Sequence, residues 1–169
     1  NDALAKTGFT FAAWNTNASG TGTDYAEGAT GLATTSNVTL YAKWTGVSSA
    51  VTYVTGDGAS TAPTQSITMY GSIFALPSAP TRTGFNFIGW ETGSNANATV
   101  YAPASNYTMG ATAVTFTAKW SGLSYVVVYQ LNGGEGTAPT QADGTHGLGF
   151  TTAAAPIRTG FTFTGWSDG

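Results

Sequence analysis

The sequence predicts a mainly β protein built from tandem small modules, with at most one helical turn in each. Three observations predict it. Composition comes first: Gly (23) and Thr (31) fill much of the space that charge would occupy, 13% of residues are aromatic, and only 8% are charged, against a usual quarter. Such a chain lacks good helix formers and is rich in residues that suit a pleated surface. Second, the chain repeats itself at a spacing of 76 residues without insertion or deletion. Third, its apolar residues alternate with period two, as one buried sheet face requires.

The elements follow in chain order. Thr7-Gly8-Phe9 opens a segment in which Phe9 and Phe11 alternate, and Trp14 follows out of phase. In the second copy, Thr83-Gly84-Phe85, Phe87 and Trp90 repeat this; in the third, Thr159-Gly160-Phe161, Phe163 and Trp166 do so. Gly89 and Gly165 stand just before their tryptophans, which predicts a bulge or turn there. Val38, Leu40, Ala42 and Trp44 alternate with Thr39, Tyr41 and Lys43, and Val114, Phe116, Ala118 and Trp120 alternate with Thr115, Thr117 and Lys119. Each set reads as a strand with its Thr/Lys face in water. Val126–Tyr129, the turn Asn132-Gly133-Gly134 and a return strand read as an opening hairpin, with Gly56-Asp57-Gly58 as the corresponding turn. Leu76–Thr83 contains Pro77 and Pro80 and reads as a crossing connection rather than a helix.

Aligning 51–93 with 127–169 gives 20 identities in 43 positions. One repeat runs from Val47 to Gly122, bounded by Thr45-Gly46 and Ser121-Gly122. Residues 1–46 are then the C-terminal half of a repeat, 47–122 a complete one, and 123–169 the N-terminal half of a third. The expectation is a stretch of a longer tandem array. Asn1 leads directly into folded-looking sequence, so no signal peptide is expected within this stretch, and any targeting or anchoring segment is expected outside it.

Several function classes are excluded. Five basic residues and a net charge of −3 do not suit a nucleic-acid binder that works by phosphate neutralisation or a polybasic membrane surface. No stretch approaches the ~20 apolar residues of a membrane helix. With no cysteine and a single histidine, His146, thiolate and most His-based metal or acid–base sites are out of reach. No catalytic residue, cofactor or metal is expected.

The order of motifs resembles a known family. A hairpin turn Asn-Gly-Gly is followed by Ala-Pro-Thr, then by Pro156-Ile157-Arg158-Thr159-Gly160-Phe161-Thr162-Phe163-Thr164-Gly165-Trp166, and elsewhere by Tyr41-Ala42-Lys43-Trp44. This is similar to the Listeria–Bacteroides repeat, of the type found as B repeats in internalin-like surface proteins. Departures are small: residues 1–6 lack the prolines, Thr55-Gly56-Asp57-Gly58 replaces Asn-Gly-Gly, and Phe116-Thr117 replaces Leu-Tyr. The resemblance implies a β-grasp-like module repeated along a bacterial surface or secreted protein, and brings no catalytic residues with it. Some relatives are spacers and others help to bind surfaces.

The repeat-signature residues are Gly8, Phe9, Trp14, Lys43, Trp44, Gly84, Phe85, Trp90, Lys119, Trp120, Gly160, Phe161 and Trp166. Trp14, Trp90 and Trp166 could be carbohydrate platforms, but their register beside the Phe pairs favours a core. Trp44 and Trp120, at the repeat end, either cover the junction with the next module or pack internally. Lys43 and Lys119 could form isopeptide bonds, yet no acid repeats beside them; the ordinary reading is a solvent-facing lysine that protects an edge strand. Lys6, Arg82 and Arg158 recur before Thr-Gly-Phe and either recognise a carboxylate, cap local carbonyls or stay solvated. Asp24 and Glu27 align with Val100 and Pro103, so a repeated carboxylate or calcium site is not expected. His146 aligns with Tyr70 and reads as a surface or strand residue, while Gly133-Gly134-Glu135-Gly136 is a turn rather than a phosphate loop. Sequons at Asn17, Asn37, Asn97 and Asn106 arise easily by chance in so Asn- and Thr-rich a chain.

The leading expectation is an extracellular spacer or stalk of a bacterial surface protein, with neighbouring repeats of the same chain as partners and fibre formation as a corollary. One rival is an adhesive module for a glycan or host protein. The other is a filament subunit, in which the half-repeats at both ends are completed by identical chains through strand edges. Neither nucleic acid nor direct membrane insertion is expected of this segment.

Overall fold

The computed structural model describes residues 4–30, 35–93 and 98–167. The described residues form twelve strands and no helix: β1 (Phe9–Asn15), β2 (Asp24–Tyr25), β3 (Tyr41–Gly46), β4 (Ser48–Val54), β5 (Ser66–Met69), β6 (Ile73–Ala75), β7 (Phe85–Thr92), β8 (Thr99–Tyr101), β9 (Asn106–Thr108), β10 (Val114–Gly122), β11 (Ser124–Tyr125) and β12 (Gly144–Thr145). The mainly β class is as the sequence predicts.

The middle of the chain carries the largest sheet, in the order β5-β4-β10-β7-β8. Its centre is the parallel pair β4 and β10, with Val51 facing Val114 and Tyr53 facing Phe116. All other pairings in it are antiparallel. A parallel pair cannot be closed by a tight turn, and here the chain between the two strands crosses the sheet face. Its crossing forms a second small sheet, β6 with β9, which sets Phe74 and Tyr107 against the core from the opposite side. Leu76–Thr83 connects without helix, because Pro77 and Pro80 deny it one.

The alternation in β10 is met residue by residue: Phe116 and Ala118 are buried while Thr115, Thr117 and Lys119 are exposed. Phe116, Trp90 and Val51 lose all contact with solvent and join Tyr53, Leu76, Met109 and Ala118 in one core. Tyr53 stacks on Phe116 at 5.5 Å and meets Trp90 edge-on at 5.2 Å. The Trp90 indole donates to the Pro77 carbonyl at 3.0 Å, so its one polar atom is satisfied inside the apolar cluster.

The bulge expected before Trp90 is present, and an equivalent one precedes Trp14; Phe161–Trp166 is in no strand, so none forms at Gly165. In β7 the register slips between Lys119 and Trp120, which face Gly89 and Phe87, so Ile88 is the extra residue. In β1 it slips between Phe11 and Ala13, 76 residues earlier. Gly89 is needed there, since a Cβ would lie 2.6 Å from the Tyr101 carbonyl oxygen and from a Val100 methyl. The bulge turns Phe87 and Trp90 to the same buried side.

Three expectations are corrected. Lys119 does not guard an edge, because β10 is the central strand of its sheet. Val126–Tyr129 is not in a strand, although the turn at Leu131–Gly134 closes with a 2.8 Å hydrogen bond; among the described residues no strand pairs with it. The return strand after Gly56-Asp57-Gly58 also starts late, at Ser66. Ser60 donates to the Thr81 carbonyl at 2.8 Å instead, and Pro63 has no N–H to offer a ladder.

Candidate functional site

The feature that recurs in the fold is a joint between successive repeats, built on the Thr-Gly-Phe motif. Gly8 adopts φ +78° and Gly84 φ +79°, a left-handed conformation that an L side chain resists. At the first joint, Val47 donates to the Gly8 carbonyl at 2.9 Å, and Tyr70 donates to the Val47 carbonyl at 2.8 Å. These bonds lay the Tyr70 ring flat against Gly8, where a Cβ would run into the ring. Phe9 meets the same ring edge-on at 5.4 Å, and the Lys6 ammonium lies 4.3 Å over the Phe9 ring.

The second joint has the same construction 76 residues on. Leu123 donates to the Gly84 carbonyl and His146 to the Leu123 carbonyl, both at 2.8 Å. The His146 imidazole covers Gly84, Phe85 meets it edge-on at 5.1 Å, and the Arg82 guanidinium sits 4.0 Å over Phe85. Lys6, Arg82 and Arg158 thus share one task, since Arg158 lies 4.0 Å over Phe161. Each cation lies against the ring quadrupole of the Phe three residues later, and Arg158 also donates to the Asn132 carbonyl at 3.3 Å. At Gly160 nothing among the described residues lies within 4 Å of a Cβ.

Sequence reasoning missed Tyr70 and His146 as members of the joint. The available signal was their shared register, an aromatic ring at the same distance from the Thr-Gly-Phe of the preceding repeat. Reading His146 by itself as a surface residue hid it.

A charged corner lies beside each closing strand. Lys119 pairs with Glu91 at 2.6 Å, and Lys43 with Asp24 at 2.7 Å. An acid therefore accompanies each lysine although the two acids come from non-equivalent positions. Asp24 also accepts a 2.5 Å hydrogen bond from the Asn15 amide, itself fully buried. The Lys43 ammonium first, and the Asn15 amide second, hold the Asp24 carboxyl below its usual range. Asp24 and Lys43 are both part-exposed, and the corner reads as a surface ion pair. Thr159 likewise holds Glu135 below its usual range, by hydrogen bonds from its side chain and backbone.

The tryptophans occupy distinct places. Trp90 is fully buried. Trp120 donates to the Thr55 carbonyl at 3.0 Å and meets Phe87 edge-on at 5.4 Å, contacts within its own repeat. Trp44 meets Phe11 at 5.8 Å, and Trp14 meets Phe11 at 5.4 Å. Trp166 packs on Tyr129 at 4.6 Å and donates to the Ala153 carbonyl at 2.9 Å. Among the described residues no group of three His, Asp or Glu side chains is arranged to hold a metal ion. The sequon at Asn97 lies outside the described residues.

Comparison with known proteins adds the following. The Listeria-Bacteroides repeat domain matches residues 2–43, 50–119 and 125–169. A protein of Evansella cellulosilytica named "Putative Gly-rich membrane protein" is 29% identical over 163 residues, covering 96% of this chain and 18% of that protein. A second protein of the same organism, named "Putative membrane protein", is 30% identical over 132 residues, covering 78% of this chain and 19% of that protein. The chain therefore spans less than a fifth of the length of these curated relatives. No solved structure matches the chain.

Proposed function

This chain belongs to the Listeria-Bacteroides repeat family, and from that premise we propose that it is a structural spacer within the repeat region of a bacterial surface protein. The observation that carries the reading is the pair of joints, Gly8 with Tyr70 and Gly84 with His146, built from the same hydrogen bonds and ring contacts. A flexible linker would not reproduce backbone bonds and a ring seated on glycine at each junction. Stability then comes from each unit together with its interface to the next, as in other repeat arrays. This suits a module of ~76 residues, which buries only about 60% of its chain surface by itself.

The order β5-β4-β10-β7, with its central pair parallel, supports the β-grasp-like reading of the module. Each module would span roughly 30 Å from compact-domain scaling, so many copies would hold a terminal domain well clear of a cell wall. The relatives' names support a location at the cell envelope, and the family supports its outer side. Among the described residues no helix is long and apolar enough to cross a membrane. The role is non-enzymatic, and its partners are the neighbouring repeats.

Negative-stain imaging of the longer parent chain, at low and high concentration, tests this. Straight rods whose length tracks repeat number are expected. Beads that bend freely at every junction would refute it.

A further inference from the structure

One edge of the complete middle repeat is open. The outermost strand of its five-stranded sheet is β5, Ser66–Met69, which pairs with β4 on one side only. We infer that the other side of β5 is a docking edge for β5 of a second copy of this chain, joined antiparallel with Ile67 opposite Ile67 of that copy. The inference concerns contacts between chains and does not depend on the spacer reading.

The free backbone groups follow from the ladder. Tyr70 donates to the Val47 carbonyl at 2.8 Å, and the register continues from this pair through Met69 opposite Ser48, Thr68 opposite Ser49, Ile67 opposite Ala50 and Ser66 opposite Val51. Alternate pairs of an antiparallel ladder exchange hydrogen bonds, so Thr68 and Ser66 point theirs at β4. Ile67 and Met69 point theirs to the open side. The Ser72 N–H takes up the Met69 carbonyl at 3.1 Å, but among the described residues no backbone bond reaches the Ile67 N–H or carbonyl from that side.

The side chains on this edge are not ones the module requires. Ile67 is 78% exposed and Met69 50%, and Ala50, across from Ile67 on β4, is exposed as well. The third repeat builds the same ladder, with Ser124 facing Thr145 and Tyr125 facing Gly144. It nevertheless holds Asp143 where the middle repeat has Ile67, and Thr145 where it has Met69. A fold that accepts an aspartate at this position does not need an isoleucine there. An acid on an edge strand is an ordinary guard against pairing, and the middle repeat lacks it: no charged residue stands between Asp57 and Arg82. Nor does a preceding repeat cover this edge. A complete repeat precedes β12, the counterpart of β5, and β12 pairs with β11 alone.

The occupant that fits is a second copy. In the register of Ile67 opposite Ile67, the two isoleucines exchange both of their backbone bonds, and the Met69 N–H meets the carbonyl of Gln65 of the second copy. The two isoleucine side chains then lie against each other on the outer face, with no charge in the paired segments to oppose them. Such isologous pairing closes on itself and gives a dimer instead of a polymer. A contact of one strand is small, so the dimer forms in the micromolar to millimolar range. The same pairing in the third repeat would set Asp143 against Asp143, and like charges directly opposite are destabilising. The contact therefore belongs to the middle repeat.

Sedimentation equilibrium of the 169-residue chain from about 10 μM to about 1 mM, with amide hydrogen exchange at both ends of that range, tests the pairing. A monomer–dimer equilibrium is expected, with the Ile67 and Met69 amides exchanging at least tenfold more slowly in the dimer. Ile67→Asp copies the residue of the third repeat, keeps the fold and should weaken dimerisation at least tenfold. Ile73→Asp places the same charge on an exposed residue of β6, outside the edge, and should dimerise as the parent does. A chain that stays monomeric at the highest concentration, or that grows into open-ended polymers, would overturn the inference. So would equal loss in the two variants, association indifferent to Ile67→Asp, or a dimer that leaves the Ile67 and Met69 amides unprotected.

Discussion

Replacing Gly84 by alanine tests the joint most sharply, because a matched control exists elsewhere in the chain. Gly84 has φ +79° and Gly58 φ +70°, so a methyl at either position costs about 1–2 kcal/mol of left-handed strain. At Gly58 the new Cβ meets open space, whereas at Gly84 it runs into the His146 ring. The Gly84 backbone is fixed by its bond from Leu123, so the ring has to leave. Its departure forfeits the edge contact with Phe85, about 0.5–1.5 kcal/mol, and loosens the His146–Leu123 hydrogen bond, about 1 kcal/mol. Gly84→Ala should therefore cost about 2.5–4.5 kcal/mol and Gly58→Ala only about 1–2 kcal/mol. Urea unfolding followed by tryptophan fluorescence gives both values, and hydrogen exchange at the Leu123 and His146 amides localises the loss. In a double-mutant cycle, His146→Ala should recover about 1 kcal/mol or more in the Gly84→Ala background. Equal costs at the two glycines, or independence from His146, would refute the view that this ring seats the joint.

Other predictions follow from the same geometry. Phe116→Ala should cost about 3–5 kcal/mol, because the fully buried ring leaves a cavity shared by β4 and β10; thermal unfolding reads it. Ile88→Glu should change stability by less than about 0.5 kcal/mol, since the bulged residue points outward. Asp24 is held below its usual range, first by Lys43 and then by Asn15, so the unfolded chain takes up that proton before the folded one does. Its contribution is complete above the ordinary carboxylate range and is lost as pH falls through the folded value; Asp24→Asn should flatten the acid limb of β1–β3 opening, measured by hydrogen exchange. Tyr53 is pushed up by burial, and Tyr107 by burial first and Tyr101 second. That stability is complete below the ordinary tyrosine range and is lost as pH rises towards the folded values, so Tyr53→Phe with Tyr107→Phe should soften alkaline unfolding monitored by circular dichroism.

Much of the fold was legible because it is written in local periodicity. The alternation from Val114 to Trp120 named the buried face of β10, and Gly89 before Trp90 named the bulge. What remained illegible depended on which strands meet. Nothing local in Ala-Lys-Trp shows that β10 is central rather than an edge, since its position is set by the parallel pairing with β4, more than sixty residues away. The ion pairs escaped for a related reason. Lys43 and Lys119 occupy equivalent positions, but Asp24 and Glu91 reach them from different strands, so a comparison of repeats position by position misses the shared contact. His146 was misplaced because a ring seated on a distant glycine leaves no pattern in its own segment, a turn just after β12.

By itself the sequence determined the β class, the spacing of the copies, the inward set of residues and the family, because all of these are properties of short segments and of their recurrence. Tertiary structure alone decided that the Tyr70 ring seats on Gly8 and the His146 ring on Gly84. Both are relations between segments far apart in the chain. The physical reason is that a strand's side-chain period is fixed by its own backbone, whereas its neighbours are fixed by which unpaired N–H and C=O groups reach each other once the core has closed.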